Sequence, residues 1–381
     1  MNTRIVAIAF VIGLAFAGPA HSCTAFLVTD GDVVLAGNNE DFVNPQTRVW
    51  FVPAEDGRFG RVYFGFDSLA PQGGMNERGL FFDGFSTAPR KVLRSADRPV
   101  YVGALVDKAM AECATVEEVL ALFDKYNLEF LERAMLMFGD ATGDSAIIEG
   151  DDVVRKQGRF QVVTNFYQSQ TPAGQEPCER YRIAVGLLED AQEVSIPLCR
   201  RVLSAVHAEG GSKTLYSNIY DLRRGRIYLY HFHNFENVVV FDLAEELEKG
   251  ERVLDLPSLF PPTFAAEEYA RQQSAALLEQ QKGIKRIDLD PDLTDRYVGQ
   301  YALTGGPMPG LRVTVLKEAD RLFAEVPGVG KVELSAESPT DFFYLAVDAL
   351  LRLTFTEDDA GQVTGFEADL NGLKYQAQRM P

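Results

Sequence analysis

From Cys23 to Phe241 the chain alternates short apolar runs with clusters of Gly, Asn and Asp, the pattern of a strand-rich protein. Thr24–Thr29 and Val33–Ala36 read as two strands joined at Asp30-Gly31-Asp32, the signal of a tight hairpin. Further strands are expected at Trp50–Val52, Arg61–Phe64, Gly79–Phe85, Ala134–Phe138, Ser145–Glu149, Phe160–Asn165, Leu215–Asp221, Arg226–Tyr230 and Asn237–Phe241. Helical spacing occurs at Val102–Ala111, Val116–Tyr126, Cys178–Asp190 and Pro197–His207, with Thr115 placed as N-cap before the acidic pair Glu117-Glu118. Runs such as Phe26-Leu27-Val28 and Val238-Val239-Val240-Phe241 are too continuously apolar for a sheet with one wet face. Two sheets sandwiched between helices answer that pattern, an α+β arrangement.

The pattern changes between residues 256 and 292. Pro257, Pro261 and Pro262 break the chain, Phe264–Lys282 reads as a polar helix, and Asp288–Asp292 as an acidic linker. Beyond it, strands are expected at Leu311–Leu316, Leu322–Val326, Lys331–Leu334, Phe342–Leu345, Leu351–Phe355, Val363–Ala368 and Lys374–Gln376. Evenly spaced short strands suggest a small closed β barrel. The expected division is 1–22, 23–262, a helical and acidic linker at 263–292, and a barrel domain at 293–381.

The first of these segments is a leader. Arg4 precedes the apolar run Ile5–Ala17, the breakers Gly18 and Pro19, and Ala20-His21-Ser22. This is the layout of a cleaved secretory signal, too short to anchor in a bilayer. Cleavage after Ser22 would put a thiol and a free α-amino group on the same residue, Cys23. An α-amino group has a reference pKa near 8, roughly two units below lysine's, so it can take the proton from its own sulfur without a histidine partner. A lipid-anchored cysteine is the poorer reading, since Ala20 stands where a leucine is usual; a disulfide cysteine is the other bland one. Removing residues 1–22 takes away Arg4 alone and moves the formal charge from −18 to −19. A chain this acidic is expected to be soluble and to avoid nucleic acid and anionic membrane, and its leader is expected to make it periplasmic or secreted after cleavage. Of the three other cysteines, Cys178 and Cys199 are the better-placed pair for a disulfide.

A second polar cluster, Gly37-Asn38-Asn39-Glu40-Asp41, stands at the end of the second strand of the opening hairpin, which would return Asp41 close to Cys23. Its bland reading is a polar turn. Together with Cys23-Thr24-Ala25-Phe26, this cluster resembles the choloylglycine hydrolase family, the N-terminal-nucleophile hydrolases that include bile salt hydrolases and penicillin V acylases. Gly74-Met75-Asn76-Glu77-Arg78-Gly79-Leu80, Val163-Thr164-Asn165, Glu179-Arg180-Tyr181 and Tyr216-Ser217 with Tyr220-Asp221 continue the resemblance in family order across residues 23–241. The resemblance implies an αββα fold, no metal and no cofactor, and hydrolysis of a linear amide C–N bond in a small N-acyl substrate.

It also implies roles. Cys23 is similar to the family's nucleophile and base, Asp41 to the carboxylate beside it, and Asn165 to the side-chain donor of the oxyanion hole. A backbone N–H near Ser86 resembles the second donor, and Arg180 the arginine set against the cysteine. Two positions depart from the family: Asn38 stands where arginine is usual, and Ser86 where Asn or Tyr is. Both bear on substrate choice more than on reaction class. Residues 293–381, with Tyr297-Val298-Gly299-Gln300-Tyr301 and Arg321-Leu322-Phe323-Ala324, resemble an accessory module of secreted β-lactamase-type hydrolases. Acyl transfer to another amine, or cleavage of short peptides, would use the same machinery. A secreted binding protein with a structural Cys23 is the alternative of another class. A homo-oligomer is compatible with all of these. His231 and His233, two apart, would share a strand face as metal ligands do, but no third ligand is evident and no metal site is expected.

Overall fold

The computed structural model describes residues 23–101, 104–289, 291–305, 311–318, 321–326, 330–346, 350–370 and 373–380. The leader call, and the start of the helix expected from Val102, lie outside the described residues. In chain order the first region holds β1 (Thr24–Asp30), β2 (Val33–Phe42), β3 (Thr47–Val52), β4 (Arg61–Phe66), β5 (Pro71–Asn76), β6 (Phe81–Ser86), α1 (Leu105–Glu112), α2 (Val116–Phe123), β7 (Ala134–Gly139), β8 (Ser145–Glu149), β9 (Asp152–Arg155) and β10 (Phe160–Val163). It continues with α3 (Glu179–Glu189), α4 (Ile196–Ala205), β11 (Lys213–Asp221), β12 (Arg226–His231), β13 (Asn234–Asp242), α5 (Leu243–Glu248), β14 (Arg252–Asp255) and α6 (Phe264–Lys282).

Two antiparallel sheets result. The first runs β10-β1-β2-β11-β12-β13 and the second β14-β3-β4-β5-β6-β7-β8-β9. Their facing sides share one core of Leu27, Val34, Phe51, Phe64, Phe81, Phe85 and Met137. The outer face of the second sheet, through Tyr63, Phe82 and Phe138, packs on α1 and α2. The outer face of the first, through Phe26, Val28 and Leu35, packs on α3 and α4. Four layers, helix–sheet–sheet–helix, therefore hide both faces of each sheet, which is why the strands read as continuous apolar runs. Each fully buried Phe contributes roughly 1.5–3 kcal/mol of transfer free energy.

Local signals agree with this frame. Thr115 caps α2 in a reciprocal capping box with Glu118. Gly37 leaves room for a ring: a Cβ there would lie 2.7 Å from Phe26 Cζ. The first half of α6 packs on the sandwich, with Tyr269 in the inter-sheet core and its hydroxyl donating to Val43 O at 3.1 Å.

After α7 (Pro291–Thr294), eight strands close into a barrel: β15 (Gly299–Gly305), β16 (Arg312–Glu318), β17 (Arg321–Val326), β18 (Gly330–Ala336), β19 (Asp341–Leu345), β20 (Leu350–Glu357), β21 (Val363–Leu370) and β22 (Leu373–Arg379). Its core of Tyr297, Tyr301, Phe342, Phe355 and Phe366 is separate from those of the sandwich.

The 37–41 cluster ends the second strand of the opening hairpin, as expected, and is not a polar turn: β2 runs through it to Phe42, because β1 and β11 pair with it on both sides. Several other expectations need correction. Strands β5, β9, β14 and β15 were not legible, being Gly-rich, exposed or polar. Cys178 and Cys199 are both free. Cys199 is turned into the core under α4, whereas Cys178 is half-buried at the N-cap of α3. His231 and His233 do not share a face, since β12 ends at His231 and His233 takes a left-handed turn conformation with φ 47°. His231 stacks on Phe260, and burial pushes its pKa down to about 4; His233 stacks on His207. The ligand atoms of His207, Glu209 and His233 lie within 4.8 Å of one another at the surface, a grouping that sequence spacing concealed.

Candidate active site

Cys23 lies at the head of β1, and the ladder fixes its neighbours. Thr24 pairs with Asn39 on β2 and Ala25 with Val163 on β10, so continuing each register by a residue or two brings Glu40 to one side of Cys23 and Asn165 to the other. Alternation along the strands then divides the polar residues between two faces.

The outer face, toward α3 and α4, carries Thr24, Asn39 and Asp41. Arg180, in the first turn of α3, reaches down to it. Its Nη1 donates to Cys23 O at 3.0 Å and Thr24 Oγ1 at 2.7 Å, and lies 3.5 Å from Asp41 Oδ2. Its Nη2 donates to Asn165 Oδ1 at 3.3 Å. Thr214 donates through its hydroxyl to Asp41 Oδ1. A bulge at Leu215 makes that contact possible, because Thr214 pairs with Asp41 while Tyr216 pairs with Glu40. Asn39 donates to Leu203 O at 2.9 Å and accepts from Ser217 Oγ at 2.7 Å.

The inner face, between the sheets, carries the Cys23 sulfur. Sγ lies 3.7 Å from Glu40 Oε1 and 3.9 Å from Asp41 O. Cys23 is only 4% exposed and Glu40 only 3%. Burial first, then the charges of Glu40, Asp41 and Asp83, push the thiol well above its ordinary pKa. Burial, then Asp41, pushes the Glu40 carboxyl up to about 8. Asp83, on the same face of β6 as Phe81 and Phe85, is raised by burial and by Glu40.

The residues expected from the sequence thus gather at one end of the sandwich. Arg180 differs from its expected position: it grips the Cys23 carbonyl rather than the sulfur, because α3 lies on the face opposite the side chain. Asn165 is oriented from both ends, its oxygen held by Arg180 and its Nδ2 donating to Ser86 O at 3.0 Å. Thr87 N–H donates to Arg133 O on the β7 side. Strand alternation therefore turns the N–H and C=O of Ser86 to the other edge, toward Asn165. Glu40 and Asp83 were missed as site residues. The signal available was the period of two that puts Glu40 on the face of Ala36, but it is read correctly only once 37–41 is recognised as strand.

No family model matches the sequence, and no curated protein does. Solved structures do. The penicillin V acylase of Agrobacterium tumefaciens matches with 20% identity over 61% of this chain and 91% of that one, at a TM-score of 0.49. Two forms of the conjugated bile acid hydrolase of Clostridium perfringens also match. One has 17% identity over 61% of this chain and 96% of that one, at a TM-score of 0.47. The other has 16% identity over 64% and 97%, at 0.48.

Proposed function

We propose that this protein is an exported amidase that cleaves a linear C–N bond through a thioester on Cys23. The observation that carries the reading is the convergence of Asn165, Arg180, Asp41 and the Ser86 edge on a buried cysteine at the head of β1. With a peptide bond before it, Cys23 has no free α-amine, and its surroundings hold the thiol protonated. Cleavage after Ser22 would supply the base on the same residue.

The α-amine then takes the thiol proton, and the sulfur forms a bond to the amide carbonyl carbon. Asn165 Nδ2 and the Ser86 N–H serve as donors to the resulting oxyanion, each worth a few kcal/mol in a dry site. The ammonium returns its proton to the substrate nitrogen, the C–N bond breaks, and the amine leaves. Water, deprotonated by the same α-amine, attacks the thioester; the C–S bond breaks, the ammonium returns that proton to the leaving sulfur, and the acid departs. Arg180 positions this machinery by fixing the Cys23 carbonyl, Asp41 and Asn165.

The decisive experiment combines mass and activity. The mature protein should begin at residue 23 with a free thiol, and Cys23→Ser should lose essentially all turnover while staying folded, a hydroxyl being far harder to deprotonate. A chain retaining one residue before Cys23 should be folded and inactive. Activity in that chain would favour a second reading, in which Glu40, 3.7 Å from the sulfur, is the base. A lipid or disulfide adduct on Cys23 would instead favour the binding-protein alternative. Transfer of the acyl group to an added amine would mark an acyltransferase on the same machinery. The barrel, having its own core, is assigned an accessory role; truncation after residue 282 should leave a soluble sandwich that still cleaves small amides.

A further inference from the structure

The inner face around Cys23 is a polar island in an apolar core. Asn38, Glu40, Asp83, Tyr216 and Asn218 are each at most 3% exposed and come from three strands, β2 and β11 of one sheet and β6 of the other. Glu40 faces Tyr216 and Asn38 faces Asn218 across the β2–β11 ladder. Tyr216 feels the charges of Glu40, Asp83 and Cys23, so the cluster and the nucleophile share one space.

Its hydrogen bonding does not close. Glu40 Oε2 and the side-chain oxygens of Asn38 and Asn218 accept no hydrogen bond, and the Asp83 carboxyl meets only the Gly84 N–H. Against these acceptors stand three unused donors, Asn38 Nδ2 and the hydroxyls of Tyr216 and Tyr220, the last accepting from Asn218 Nδ2. Among the described residues, no Lys or Arg contributes to the electrostatics of Glu40 or Asp83. Arg180 serves the opposite face. Buried carboxyls without a cation must hold protons or await a positive partner, because an isolated buried charge is costly. An excess of acceptors over donors is complementary to a group that only donates. An ammonium, with three donors and one positive charge, fits that description.

We propose that Glu40 and Asp83, with Asn38, Tyr216 and Asn218, form a cation subsite beside Cys23, and that the amides cleaved carry a primary ammonium within a few bonds of the scissile carbonyl. The substrate class rests on the amidase reading; the binding site does not. On binding, the ammonium takes the place of one of the protons that keep the two carboxyls neutral, and the other proton stays on the pair. Binding should therefore release a proton and strengthen as pH rises from 5 to 8. The titratable groups facing the pair are Cys23 on β1 and Tyr216 and Tyr220 on β11, and the charge of Asp41 acts on it from the outer face of β2.

The test has two arms. In the first, full-length processed Cys23→Ala protein is titrated calorimetrically with n-propylammonium chloride and with propan-1-ol at pH 7.5. The ammonium should bind at least tenfold more tightly than the alcohol, and the added Glu40→Gln and Asp83→Asn changes should abolish that preference. If the double change disturbs folding, as read by circular dichroism, the single Asp83→Asn variant should still weaken ammonium binding about tenfold. Equal binding of ammonium and alcohol would overturn the subsite; it is also the result expected if the chain's own Cys23 amine fills the cluster. In the second arm, 3-aminopropanoyl and butanoyl anilides are compared as substrates of the active enzyme, together with butanoyl amides of 1,2-diaminoethane and propylamine. A tenfold or greater kcat/KM advantage for the charged member of either pair supports the substrate class, and parity in both overturns it. Failure to cleave any of them, with no acyl adduct on Cys23 by mass, would count against the amidase reading while the calorimetry still decides the subsite.

Discussion

Residues 38–41 lie on one strand, and their two faces could hardly be treated more differently. On the outer face, Asn39 and Asp41 sit in a closed network with Ser217, Leu203, Thr214 and Arg180. On the inner face, Asn38 and Glu40 leave three of their four side-chain polar atoms without a hydrogen bond, and the Asp83 carboxyl opposite meets only the Gly84 N–H. Both faces are buried, so depth alone does not explain the contrast. The closed network fixes backbone and side-chain positions. The open one retains unspent bonding capacity next to the sulfur, and a natural core keeps such capacity only where something outweighs its cost.

Breaking the link between the faces should have the largest effect. Asn165 is held by Arg180 from the outer network and reaches Ser86 on the other sheet. Asn165→Ala is expected to lower kcat by about two to three orders of magnitude with little change in KM, since an oxyanion donor acts on the transition state. A raised KM at unchanged kcat would make it a substrate-binding residue instead.

The inner face should reveal itself next through pH. Glu40 is raised from 4.5 to about 8 by burial and then Asp41. Between those values the unfolded chain loses this proton while the folded chain keeps it, so stability falls as pH rises. Below about 4.5 both states are protonated and the effect vanishes. Glu40→Gln should therefore match the parent in Tm near pH 4.5 and exceed it increasingly toward pH 8. A constant Tm difference across that range would mean that Glu40 is ionised in the folded protein.

The smallest effect is the most direct contrast of the two faces. Ser217→Ala removes a made hydrogen bond from buried Asn39 and should cost roughly 1–3 kcal/mol. Its neighbour Tyr216 carries a buried hydroxyl with no partner, so Tyr216→Phe should change stability by less than about 0.5 kcal/mol or increase it. Denaturant unfolding of both variants measures the difference. Equal costs would show that the inner cluster is internally satisfied.

The sequence by itself determined the layered plan, because hydrophobic burial leaves a local signature. Continuous apolar runs announced sheets covered on both faces, Thr115 announced the start of α2, and evenly spaced short strands announced the barrel. It also singled out Cys23, Asp41, Asn165 and Arg180, whose residue types and order carry the motif. Tertiary structure decided what each of them faces. Whether 37–41 is turn or strand depends on β11, nearly two hundred residues away, which pairs with it. That pairing, with the bulge at Leu215, sends Asp41 to Thr214 and Arg180 and leaves Glu40 beside the sulfur. Asp83 joins from the opposite sheet through no sequence relation at all. A strand's period of two is local, but which face is solvent, helix or second sheet is set by long-range packing. The sequence could therefore single out Cys23 but not the buried carboxyls that surround it.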